Sequence, residues 1–139
     1  MTTYSTNTTV SKLDAAAPHF RGLLRIVSAL LFIEHGSQKL LGFPLREGAA
    51  PPSFSIFWTA GVLELFGGIL LLIGLFTRPV AFVLSGLMAF AYFMVHFPQN
   101  FFPVLNGGDA AILFCFVFLY FVFSGPGSFS IDDARKNRI

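Results

Sequence analysis

The chain of 139 residues is 55% hydrophobic, 17% aromatic and only 12% charged, with 19 Phe. Soluble domains carry about 25% charged residues, so this chain has too little charge to coat a globule; an integral membrane protein is expected, with a soluble protein built around a large buried interface as the distant alternative. The net charge of +2 gives no basic footprint for nucleic acid, and Cys115, the single cysteine, excludes an internal disulfide and CxxC dithiol chemistry.

Residues 1–19 are polar and rich in Thr and Ser, and read as a disordered N-terminal tail. The following apolar stretch is interrupted by Glu34 and His35 and has no A-x-A signal close behind, so no cleavage is expected. The first predicted helix covers residues 20–41, entered just after Pro18. Arg21 and Arg25 lie in its first two turns, where long side chains reach the headgroups. Beyond Ile33 its character changes. At 100° per residue Glu34, His35, Gln38, Lys39 and Gly42 fall in one arc of about 140°. That polar face must look into protein or a wet cavity.

Residues 43–53 form a loop broken by Pro44, Gly48, Pro51 and Pro52. The second helix, residues 54–76, is apolar for about 23 residues, enough to cross a hydrocarbon core of ~30 Å. Trp58 is an interface anchor near its start. Glu64 is its one charge, and Gly61 and Gly68 share the face of that acid, so a neighbouring helix can come close. A carboxylate there needs a partner.

Gly74 and the turn Thr77-Arg78-Pro79 make the second and third helices antiparallel neighbours. The third helix covers residues 79–97. Ala81, Ser85 and Ala89 give it a small-residue face, and Ser85, Ala89, Tyr92 and His96 form one stripe that starts small and ends polar. The loop 98–108 carries no Lys or Arg and is rich in apolar residues. The fourth helix, residues 109–123, opens on Asp109 and continues as an unbroken apolar run. Its Phe residues alternate, but the residues between them are apolar too, which leaves no polar face for a barrel lumen. A membrane domain of residues 20–124 then precedes a charged, solvated cytoplasmic tail, residues 125–139.

The fold expected is an all-α, four-helix transmembrane bundle. Four spans put both termini on one side, together with Lys12, Arg21, Arg25, Arg78, Arg135, Lys136 and Arg138, seven of the nine basic residues. The positive-inside rule makes that side cytoplasmic. The ionisable groups outside the tails and cytoplasmic caps then fall in the mid-to-outer half of the bundle, which predicts one polar pocket open outward. Glu34, His35, Gln38, Lys39, Glu64, Tyr92, His96 and Asp109 are its candidate residues. Glu64 with Lys39 or His35 is the first expected pair, and Asp109 with His96 the second.

Three uses of such a pocket compete. The groups can be satisfied pairs that fix helix register in a non-catalytic scaffold or partner-binding subunit. They can bind a small polar or redox-active molecule such as a quinone headgroup, with Glu64, His35 and Lys39 on the headgroup and Tyr92 with nearby Phe residues on the ring. His35 and His96 as axial ligands of a haem is a weaker alternative. A zinc site from His35, His96, Glu64 and Asp109 has no spacing signature, and no metal is expected. Transport of a small molecule or a proton ranks below these, because the chain has no obvious inverted repeat.

Several motifs occur in order: Arg25, then His35-Gly36-Ser37-Gln38-Lys39-Leu40 with Gly42-Phe43, then Glu64 with Gly67-Gly68. Gly74-Leu75-Phe76-Thr77-Arg78 follows, then Met88, His96 and Gly107-Gly108. This pattern, over residues 20–123, resembles the DoxX family of small four-helix membrane proteins. The resemblance implies a multi-pass protein of the bacterial cytoplasmic (inner) membrane. Family members are associated with thiosulfate:quinone oxidoreduction and with membrane complexes that handle oxidative or thiol stress. The resulting expectation is a redox-linked, quinone-proximal subunit, with the lipid bilayer, quinone and other membrane or soluble redox subunits as partners.

Overall fold

The computed structural model describes residues 8–45 and 48–136, and every regular element among them is helical. α1 is Thr8–Leu41, α2 Ile56–Ile73 and α3 Thr77–Ala91; α3 continues into a π-helical turn, Tyr92–His96. A short α4, Pro103–Asn106, precedes α5, Asp109–Ser124, and α6 is Ile131–Lys136. Three helices are long and apolar enough to cross a membrane: α1, α2 and α3 with its π turn. α5 is equally apolar but only 16 residues long.

α1 begins at Thr8, well before the expected start at residue 20, and Pro18 lies inside it. The cause is the Asp14-Ala15-Ala16-Ala17 run, whose alanines are the strongest helix formers. The helix is then about 51 Å long, more than a bilayer core requires. The first part of the expected tail, residues 1–7, lies outside the described residues.

α1 packs along α2, α3 packs along α5, and α2–α3 and α1–α5 contacts close the arrangement. The buried positions of α1 are Gly22, Arg25, Ser28, Ala29, Phe32, Gly36 and Ser37, and all but Ser37 fall on a single stripe of helical period. α2 answers with Gly61, Glu64, Gly68 and Leu71. The glycines set the distance: a Cβ on Gly36 would lie 2.4 Å from the Leu65 nitrogen, and one on Gly68 would lie 2.7 Å from Ile33. Ala29, Phe32, Leu71, Ala81, Leu84, Met88, Phe118 and Phe121 form the core between the two pairs. Ser85, on the small face of α3, donates to the Cys115 carbonyl of α5 at 2.9 Å, so that face packs inside the molecule.

The end of the molecule that carries Gly74 is held by arginines. The expected reach of Arg25 to the headgroups is corrected here: Arg25 is fully buried. Its guanidinium donates to the carbonyls of Leu71, Leu72, Pro126, Ser128 and Phe129. Arg21 donates to the Ser124 carbonyl, and Arg78 to those of Val122 and Phe123. The last carbonyls of a helix have no partner within it, and a planar fork of donors satisfies several at once. These bonds also tie down the start of the expected solvated tail. Asp132 accepts from the amides of Phe76 (3.0 Å) and Thr77 (2.8 Å), capping α3 from the far end of the chain.

Candidate functional site

α2 and α3 touch near their connecting turn and separate away from it. Gly67 still meets the Leu84 side chain, where a Cβ would come within 2.8 Å. Beyond Glu64 and Met88 the two helices frame a cleft of about 950 Å³. Its rim carries Phe57, Leu63, Phe90 and Met94, each exposed on the outer surface of the helices. The cleft therefore opens sideways, through an apolar mouth, on the face where lipid would lie.

The inner wall of the cleft is polar. Glu64 is only 2% exposed. One carboxylate oxygen, Oε1, receives the Lys39 ammonium at 2.5 Å. The other, Oε2, is buried with no hydrogen-bond partner among the described residues. An unsatisfied buried carboxylate oxygen costs about 1–3 kcal/mol or more, so this one calls for an explanation, of which a bound group is one. Lys39 Nζ is a three-donor group with one donor committed to Glu64.

Glu64, Lys39, Met88, Ala91 and His96 also line a second, smaller cavity of about 220 Å³ among α1, α3 and α5. His35 and Phe32 of α1 and Phe114 of α5 are also in its lining. The Glu64–Lys39 pair and His96 thus stand in the partition between two spaces. His35 sits edge-on to Phe114, with centroids 6.3 Å apart.

His96 is placed by an irregularity. The π turn bonds the Phe97 amide to the Tyr92 carbonyl at 2.9 Å, one residue more per turn than an α-helix. Tyr92 and His96 stack at 6.4 Å with an interplanar angle of 21°. His96 Nδ1 lies 3.0 Å from the Asn106 carbonyl oxygen. A carbonyl only accepts, so Nδ1 carries the proton of that bond, and Nε2 is left as an acceptor when the ring is neutral. Buried Asn106, in the predicted loop 98–108, organises that loop: its side chain donates to the Asn100 carbonyl (2.7 Å) and accepts from the Gly108 amide (2.8 Å). The Asn-Gly-Gly sequence was the available signal for that turn.

The structure sorts the predicted site residues. Lys39, Glu64, His35 and His96 come together, and Gln38 lines the outer cleft. Of the two alternatives for the first pair, Glu64 takes Lys39. The second pair does not form: Asp109 is exposed at the start of α5, and His96 bonds the Asn106 carbonyl instead. Tyr92 lies outside both cavities, its ring against the backbone of Gly108. Glu34 is exposed and lines neither cavity. The reason is helical phase, since Glu34 is two residues, or about 200°, from both Phe32 and Gly36 on the buried stripe.

Comparison with known proteins places this architecture. The family model described as DoxX matches residues 21–97, which contain α2, α3 and most of α1. An uncharacterized protein of Haemophilus influenzae is 45% identical over 129 residues, covering 89% of this chain and 96% of the relative. No solved structure gives a significant match.

Proposed function

The chain belongs to the DoxX family of membrane proteins, and from that premise we propose that it is a quinone-proximal subunit of a redox-linked membrane system. In this reading α5 is a fourth, shallow span. Both termini face the cytoplasm of a bacterium, and the cleft lies in the outer half of the inner membrane. The placement of basic side chains supports this orientation, since Arg21, Arg25 and Arg78 gather at the end where α6 docks.

One observation carries the proposal: Glu64, whose buried Oε2 has no partner among the described residues, lines a laterally open, largely apolar cleft. The groups there suit a headgroup that alternates between carbonyl and hydroxyl. Lys39 Nζ has N–H donors for a carbonyl, and Glu64 Oε2 accepts from a hydroxyl. Phe57, Phe90 and Met88 supply ring and tail contacts in place of Tyr92. His96 and His35, in the second cavity, stand where a proton given up at Glu64 could be taken on. Cys115 alone provides no dithiol pair, so electron transfer belongs to other membrane or soluble redox subunits.

The scaffold alternative treats Lys39–Glu64 as helix glue. The α1–α2 seam is already closed by Gly36 and Gly68 at backbone contact distance, which leaves the ion pair little to add as an adhesive. The test is solvent extraction and mass spectrometry of quinone from protein purified in mild detergent, with Glu64→Gln alongside. The proposal expects near-stoichiometric quinone in the parent and its loss from a folded Glu64→Gln variant. A folded parent without quinone after purification from quinone-replete membranes would contradict it.

A further inference from the structure

Glu64 lines two spaces that open on different sides of the molecule. The cleft between α2 and α3 has an apolar rim. The second cavity reaches the surface between α1 and the start of α5, where its lining residues His35, Gly107 and Ala110 are exposed. The gap follows from side-chain size. Deeper in, rings join the two helices: Phe32 meets Phe118 at 4.8 Å and Phe114 at 5.5 Å between centroids, and His35 meets Phe114 at 6.3 Å. Beyond Phe114 the α5 lining is Ala111 and Ala110, with Gly107 just before the helix. These residues are too small to fill the space that the rings fill one turn further in.

The mouth lies at the level of water. Asp109, the first residue of α5, is exposed beside Ala110, and a charge is costly in hydrocarbon. The interior suits water too. Its volume of about 220 Å³ is far above the ~10–15 Å³ that one water needs. A buried water also requires polar partners, and His35, Lys39, Glu64 and His96 all stand in the lining.

We propose that the second cavity is an aqueous inlet that carries protons between Glu64 and the water at the end of the bundle opposite Arg25, separate from the apolar cleft by which a headgroup arrives. The inlet stands on this geometry; that the proton exchanged is a headgroup's hydroxyl proton rests on the function proposed above. His96 lines both spaces, and its Nδ1 is held by the Asn106 carbonyl. A proton leaving Glu64 is therefore taken at His96 Nε2 and passed to water in the inlet, and a proton arriving from water retraces the route. No electron moves in this step. His35 lines only the second cavity and stands nearer its mouth. Among the described residues the other titratable groups on the two spaces are Lys39 and His35 of α1 and His96 of the π turn; α5 adds none.

The test uses the full chain in lipid vesicles of one orientation, with Cys115→Ala as the background. Ala111→Cys lines the second cavity, and Leu113→Cys is exposed on the outer surface of α5. A thiol reacts as its thiolate, which needs water to form. A charged methanethiosulfonate added on the mouth side therefore labels Ala111→Cys at least tenfold faster than Leu113→Cys, in protein whose unfolding midpoint matches the parent's. In the same vesicles a lipid-soluble carbodiimide, which attacks protonated carboxyls, is mapped at Glu64. Lowering the pH on the mouth side alone raises that labelling at least threefold, and lowering it on the Arg25 side alone does not. Ala111→Cys labelled no faster than Leu113→Cys, or Glu64 labelling that ignores the mouth-side pH or follows the Arg25-side pH, would overturn the inlet. Both expected results in a protein that yields no quinone would uphold the inlet and overturn the quinone reading.

Discussion

Lys39 and Glu64 share one ion pair unequally: the ammonium sits 2.5 Å from Oε1, and Oε2 is buried with no hydrogen-bond partner among the described residues. The two residues also differ in exposure, with 26% of the Lys39 side chain accessible against 3% for Glu64. The carboxylate is therefore the group that depends on the pair. Lys39→Met strands a buried charge and should lower stability by about 3 kcal/mol, whereas Glu64→Gln leaves an ammonium that can still reach water and should cost about 1 kcal/mol. The double variant Lys39→Met/Glu64→Gln should recover most of the loss. Thermal unfolding of the three variants in one detergent checks this order, and equal costs for the two single changes would contradict it.

Arg25 is the second buried charge and is satisfied entirely by backbone. Lysine keeps the charge but cannot present a planar fork to carbonyls from two segments. Arg25→Lys should cost about 3 kcal/mol, and amide exchange should accelerate in residues 126–130. Exchange unchanged in that segment would mean that Gly125–Ser130 is held by something other than the guanidinium.

One glycine of α1 and one of α3 give a paired prediction about helix approach. Gly36→Ala places a methyl group against the Leu65 backbone, and overpacking of that kind costs about 1–3 kcal/mol. Gly86→Ala, where a Cβ meets nothing within 4 Å, should be neutral or stabilise by up to about 1 kcal/mol. Comparable destabilisation by both would show that helix separation is not what Gly36 sets.

Asp132 caps α3 although 55 residues separate it from Thr77. It also holds Phe76, whose φ of 51° is a left-handed conformation that a Phe adopts at a cost. Asp132→Ala should lower stability by about 1 kcal/mol and speed exchange at the Phe76 and Thr77 amides, with Asp132→Asn between it and the parent. Exchange at both amides unaltered in Asp132→Ala would exclude this capping role.

Much of the site was legible because the sequence placed Glu64 among glycines in an apolar helix. In hydrocarbon a carboxylate demands a partner, and Lys39 and His35 were the two candidates that the topology offered. The same logic failed for Arg25. Its acceptors are carbonyls from residues 71–72 and 126–129, and a main-chain carbonyl leaves no mark on composition. Asp109 was grouped with the pocket by depth, which does not fix azimuth. Glu34 was grouped by the arc of about 140° that it shares with Lys39, but an arc that wide need not face one way, and Glu34 lies on the exposed side of α1. The π turn was equally hidden, since its longer hydrogen-bonded loop depends on contacts formed only after folding.

The account rests on the cleft beside Glu64, and photolabelling with an azido-quinone in membranes, followed by peptide mapping, tests it most directly. The predicted result is labelling in residues 56–64 and 87–96, suppressed by excess unlabelled quinone and lost in Glu64→Gln. Labelling confined to the outward face of α5, or labelling of the cleft that Glu64→Gln leaves unchanged, would contradict it.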